Sequence, residues 1–135
     1  MPKNTTKTNQ LYIIRGLPGS GKSTMAKELF DSGLVDHIVE ADQFMVDKDK
    51  NYKFQPELLK FCHESCISWT EHYLWQGYNV AVANTFTRVW EMAPYFKLGY
   101  PYTVLEAKGN YKNIHGVTNY TIKQMADRWQ NYLPG

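Results

Sequence analysis

A chain of 135 residues is long enough for one domain with a single core between a sheet and its covering helices. Its 15 basic and 13 acidic side chains leave a formal net charge of +2, which neither demands nor forbids a nucleic-acid partner. Met1 to Gln10 is polar and lacks the apolar stretch of a signal peptide, and no later run approaches membrane-spanning length, so the expected setting is reducing and cytoplasmic, with no membrane partner.

In chain order, Met1 to Gln10 reads as a disordered leader and residues 11–135 as the domain. Leu11 to Ile14 is the first predicted strand, Lys22 to Phe30 the first helix, and Asp31-Ser32-Gly33 its exit. His37 to Glu40 gives a short second strand ending at Ala41-Asp42, in which Glu40 is hard to place, since burying it under a helix would cost too much and suggests that the strand has already ended there. The polar run Asp47 to Lys53 is expected to be an exposed loop, and Pro56 opens a long helix that runs to about Gln76 and stops at Gly77. Leu58, Leu59, Cys62, Cys66, Trp69 and Tyr73 recur at helical spacing and are expected to face the core, with the two cysteines as ordinary buried thiols. Tyr78 to Ala83 is the third strand, Thr87 to Phe96 a helix capped by Thr87, Tyr102 to Glu106 the fourth strand, and Thr118 to Tyr132 the last helix. Strands separated by helices imply an α/β fold of parallel units, with the binding crevice at the carboxyl ends of the strands.

One segment at that rim carries specific chemistry. Gly16-Leu17-Pro18-Gly19-Ser20-Gly21-Lys22-Ser23 follows the first strand and matches the phosphate-binding pattern G-x-x-x-x-G-K-S/T without a mismatch. The glycines let successive N–H groups converge on phosphate oxygens, with Thr24 continuing into the helix. Lys22 is expected to reach the β and γ phosphates of a nucleoside triphosphate such as ATP, and Ser23 to enter the shell of Mg²⁺. Asp42, on the same rim, suits a base that takes the proton of a phosphoryl acceptor and contributes to the magnesium shell. Asn84 fits a contact to substrate or to a metal-bound water, and Arg88 a substrate phosphate contact. Lys112 suits a cation closing over the phosphates, and Arg128, in the last helix, is a further candidate for the charge that moves. The third strand ends at Ala83 with no acidic residue, where many phosphate-loop enzymes place an aspartate. Tyr52 and Phe54 beside Lys48, Lys50 and Lys53 have the interleaving of a single-strand stacking platform.

The segments I-I-R-G-L-P-G-S-G-K-S-T, A-D-Q-F, V-A-V-A-N-T-F-T-R-V-W-E-M-A-P-Y and the late N-x-H-G-V followed by I-x-x-M-x-x-R-W resemble the phosphate-loop kinases grouped around the kinase domain of bacteriophage polynucleotide kinase, with its AAA-type small ATP-binding relatives. The resemblance runs from Leu11 to about Trp129. It implies a three-layer α/β/α phosphate-loop NTPase fold with about four parallel strands in the order 2-3-1-4. It also implies Mg·ATP-dependent transfer to a 5′ hydroxyl of DNA or RNA, with Asp42 as general base, and the host cytoplasm as location for a phage-encoded chain. The chain departs from that group at Met45, where the kinases carry an arginine, and at Ala83-Asn84-Thr85-Phe86, where relatives read D-N-T-N. It departs again at Lys112-Asn113, where the lid usually offers arginine, and in a shortened segment from Glu106 to Lys112. The departures leave two alternatives beside the polynucleotide kinase: a small-molecule kinase, and an ATP-binding module acting through a protein partner.

Overall fold

A computed structural model describes residues 9–44, 55–109 and 118–132. The leader up to residue 8, Met45, the aromatic and basic segment at 48–54, Lys112, Asn113 and the rest of the N-x-H-G-V segment lie outside the described residues.

Four strands, β1 (Leu11–Arg15), β2 (His37–Glu40), β3 (Val80–Asn84) and β4 (Tyr102–Glu106), form one parallel sheet in the order β2-β3-β1-β4. This is the expected phosphate-loop architecture. All five residues of β3 are buried, as a central parallel strand covered on both faces requires. Helix α1 (Lys22–Asp31) covers one face through Met25, Ala26 and Leu29, which pack on Ile14, Ala81 and Ala83. Helix α2 (Leu59–Trp75) and the short α3 (Ala93–Phe96) cover the other over Leu11, Ile13, Val80 and Val82. Helix α4 (Asn119–Asp127) follows β4, with Thr118 Oγ1 capping it through the N–H of Thr121 at 3.2 Å.

Several local readings change. The long helix begins at Leu59, after a 3-10 turn at Pro56–Leu58, and its buried row is Cys62, Cys66, Thr70 and Leu74, a strict i, i+4 line. Small residues on that line let the helix lie close to the sheet. Leu59 and Trp69, expected inside, are 41% and 45% exposed along the flanks. The third strand includes Asn84. The single helix expected over Thr87 to Phe96 is a 3-10 turn, Val89–Met92, followed by α3, because Pro94 has no N–H to give the Trp90 carbonyl. Thr87 does not cap it: the Glu91 carboxylate accepts from both the Thr87 hydroxyl at 3.0 Å and the Arg88 N–H at 2.9 Å. The last helix stops at Asp127, since the chain turns inward there and the Gln130 N–H donates to the Thr87 carbonyl at 2.7 Å.

Candidate active site

Between β1 and α1 the backbone turns through Gly19 and Gly21, at φ 80° and 95°, a left-handed region that a side chain would strain. Gly16 is required for a different reason: a Cβ there would meet Ser20 Oγ at 2.3 Å and the Ala107 carbonyl at 2.9 Å. The loop is therefore packed directly against the exit of β4. The Ser20 carbonyl accepts from Gly109 N–H at 2.8 Å, and the Arg15 carbonyl from Ala107 N–H at 2.8 Å. The N-cap of α1 is Gly21, which has no side chain to offer, and the first-turn N–H groups of Lys22, Ser23 and Thr24 have no intrahelical acceptor. These converging donors and the positive helix end fit phosphate oxygens.

Lys22 Nζ donates to the Leu17 carbonyl at 3.2 Å. Burial pushes its pKa below the ordinary lysine value, while Asp42 and then Glu40 push it back up. One cation and two carboxylates thus share the rim. Ser23 Oγ donates to Glu40 Oε1 at 2.9 Å. Sequence reasoning left Glu40 unplaced and suspected that the strand had ended before it. Instead it is the last residue of β2, its Cα paired with that of Ala83. Paired residues in a parallel ladder point to the same face, so Glu40 occupies the place beside Ala83 where the missing acid of the third strand would act. Only the strand pairing reveals this. Hydroxyl and carboxylate oxygens at Ser23, Glu40 and Asp42 are hard donors of the kind Mg²⁺ takes alongside waters and substrate phosphates.

Asp42 is exposed, in a 3-10 turn Ala41–Phe44 that leaves β2. Asn84, by contrast, is buried: its Oδ1 accepts from the Ala41 N–H at 2.8 Å and its Nδ2 donates to Cys66 Sγ at 3.8 Å. Arg88 is exposed at the start of the turn after β3, and Arg128 is the exposed C-terminal cap of α4. Thr24 is exposed on the first turn of α1, and Leu17, Pro18 and Gly19 are half-buried in the loop.

Arg15, which sequence reasoning gave no role, is the largest fully buried side chain at 1% exposure. Its Nη2 donates to the Phe86 carbonyl at 2.6 Å and the Gln130 carbonyl at 2.7 Å, its Nε to Phe86 at 3.1 Å, and its guanidinium lies 3.9 Å from the Trp129 ring centre. It ties the base of the phosphate loop to the segment after β3 and to the chain beyond α4. The period-2 alternation with Leu11 and Ile13 was the available signal that it points inward.

The chain is 28% identical over 141 aligned residues to human NEDD4-binding protein 2, an alignment that takes in 91% of this chain and 8% of that protein's length. Among solved structures, the Mycobacterium tuberculosis APS kinase CysC in complex with AMPPNP and APS superposes with a TM-score of 0.58 at 16% identity, over 76% of this chain and 64% of that one. A chain of the Pnkp1/Rnl/Hen1 RNA repair complex superposes at 0.61 and 18% identity, over 97% of this chain and 42% of that one. At such identities the likeness establishes the phosphate-loop kinase fold. No described helix is long and apolar enough to cross a membrane. With residues 11–107 matching its family profile, the chain belongs to the AAA domain family.

Proposed function

We propose that this domain transfers the γ phosphate of Mg·ATP to a hydroxyl acceptor, and that the acceptor is the 5′ hydroxyl of DNA or RNA. The observation that carries this reading is the convergence of Lys22, the Ser23–Glu40 pair and Asp42 at the carboxyl end of the sheet. Lys22, Ser23 and the N–H groups from Gly16 to Thr24 would hold the triphosphate, and Mg²⁺, when bound, neutralises charge on the transferred group. Ser23, Glu40 and Asp42 would supply its protein oxygens. Asp42, exposed on the turn that leaves β2, would accept the proton of an incoming hydroxyl. Arg88 would meet a substrate phosphate. Lys112 and Arg128 remain proposals for the closing cations.

Two likenesses support the class of reaction. The APS kinase structure holds AMPPNP and APS, and the other similar chain belongs to the Pnkp1/Rnl/Hen1 RNA repair complex. The first favours a second reading, a small-molecule kinase. The binding-module alternative drew its motive from Ala83 together with the shortened lid segment, and Glu40 beside Ala83 weakens the first of these. Transfer of labelled γ phosphate from Mg·ATP to 5′-hydroxyl DNA and RNA oligonucleotides, beside Asp42→Asn, tests the proposal. Label with the wild type alone is expected. Label on small hydroxyl acceptors but not on oligonucleotides replaces the substrate class, and equal label from Asp42→Asn removes Asp42 from the role of base.

A further inference from the structure

The sequence made Asn84 a candidate for touching substrate or a metal-bound water, but its carboxamide is engaged at both ends inside the protein. Its oxygen accepts from the Ala41 N–H at 2.8 Å and its nitrogen donates to Cys66 Sγ at 3.8 Å. Asn84 is 7% exposed, and Ala41 9%. Cys66 has no exposed surface and shares its buried cluster with Tyr95, itself 2% exposed on α3, whose pKa burial and then Cys66 push up. The chain of contacts runs from α3 through α2 and the end of β3 to the first residue of the turn after β2. The next residue in that turn is Asp42.

We infer that Asn84 is a positioning residue, which fixes the Ala41–Phe44 turn and through it the direction in which Asp42 faces the crevice. The inference rests on the kinase reading for its consequence, though not for its geometry. A 3-10 turn has no internal acceptor for its first N–H, and water has little access to Ala41, so the Asn84 oxygen is what satisfies that donor. Asparagine suits the place because one planar group supplies an acceptor on one side and a donor on the other. The thiol, held neutral by burial with its pKa pushed up to about 12, is a polarisable acceptor that tolerates the longer contact. Leu, Val or Ala at 84 would leave the turn anchored by its flanks alone.

The test compares wild type with Asn84→Ala and Asn84→Asp, by exchange of the Ala41 amide hydrogen, by affinity for Mg·AMPPNP and by steady-state transfer. In Asn84→Ala the Ala41 amide is expected to exchange about tenfold faster or more. Affinity for Mg·AMPPNP, held mainly by the Gly16 to Thr24 loop, should fall far less than kcat, which should drop about tenfold or more at unchanged acceptor KM. Asn84→Asp keeps the acceptor, so it restores Ala41 protection even if the alanine variant folds poorly. Unchanged Ala41 exchange in Asn84→Ala overturns the inference, and so does a raised acceptor KM at preserved kcat, which marks a substrate contact. If wild type transfers phosphate to no acceptor, the kinase reading fails by itself, and the exchange data still decide whether Asn84 holds the turn.

Discussion

Replacing Arg15 with methionine keeps most of the side-chain volume and removes every polar contact the guanidinium makes. The structure sets the size of the loss. The Phe86 and Gln130 carbonyls lose partners at 2.6 and 2.7 Å, the Thr87 carbonyl one at 3.3 Å, and the Trp129 ring a cation 3.9 Å from its centre. The buried Phe86 and Thr87 carbonyls cost about 1–3 kcal/mol each when stranded, the carbonyl of exposed Gln130 less, and a desolvated cation–π contact is worth about 2 kcal/mol. Against this stands relief from burying a charge. Burial already lowers the Arg15 pKa, with Glu106 and Glu91 opposing it, and Nη1 has no hydrogen-bond partner. The net expectation is about 3–5 kcal/mol, a large part of the roughly 5–15 kcal/mol that holds a domain folded. Urea unfolding followed by tryptophan fluorescence measures it, as a midpoint lowered by about 1.5–3 M at ordinary slopes. Trp129→Leu, which removes only the stacking, should lose about 1–2 kcal/mol. An Arg15→Met midpoint within about 0.5 M of wild type would refute the reasoning, since the guanidinium would then not be what joins the three segments.

Glu40→Gln keeps an acceptor for Ser23 but removes the charge, so about tenfold more Mg²⁺ should be needed for half-maximal transfer. Adding Ala83→Asp, whose Cα pairs with that of Glu40, should recover part of the loss, and a magnesium titration of both variants reads it. Gly16→Ala must push back the Ala107 carbonyl, 2.9 Å from the new methyl, and should destabilise by about 1–3 kcal/mol in thermal unfolding while weakening AMPPNP affinity in calorimetry. For Cys66 the folded pKa is about 12 against an ordinary 9.0. The unfolded thiol therefore ionises first as pH rises, and the stability present below pH 9 is lost above it, about 1.4 kcal/mol by pH 10. Wild type should lose that much more than Cys66→Ser between pH 8 and pH 10 in chemical unfolding; equal losses would show that the buried thiol ionises in the fold.

The parts of the site that were legible in the sequence are those whose chemistry is contiguous in the chain. The loop from Gly16 to Ser23 carries its own signature, and apolar runs punctuated by glycine marked the four strands to within two residues. Glu40 and Asn84 were illegible for a common reason. What each does depends on a neighbour in the adjacent strand or turn, Ala83 beside Glu40 and Ala41 beside Asn84, and strand pairing is not written locally. The α2 stripe failed differently. Periodicity located a helix but gave weight to the large residues Leu59 and Trp69, whereas close approach to the sheet selects the smaller Cys62, Cys66 and Thr70. Thr87 looked like a cap by residue type alone, but its hydroxyl donates to Glu91, and the Val89 N–H that a cap there would take donates to Gln130 Oε1 at 2.8 Å.

The hydrogen bond from Gly109 to the Ser20 carbonyl makes the strand-4 exit an indicator wired to the phosphate loop. Any rearrangement of Ser20 as phosphates enter must stretch or shorten that contact, so the Gly109 amide resonance should shift on nucleotide addition although the residue lies outside the loop motif. A single isotope label at this glycine would convert occupancy of the site into a spectroscopic signal, read without turnover and without knowledge of the acceptor.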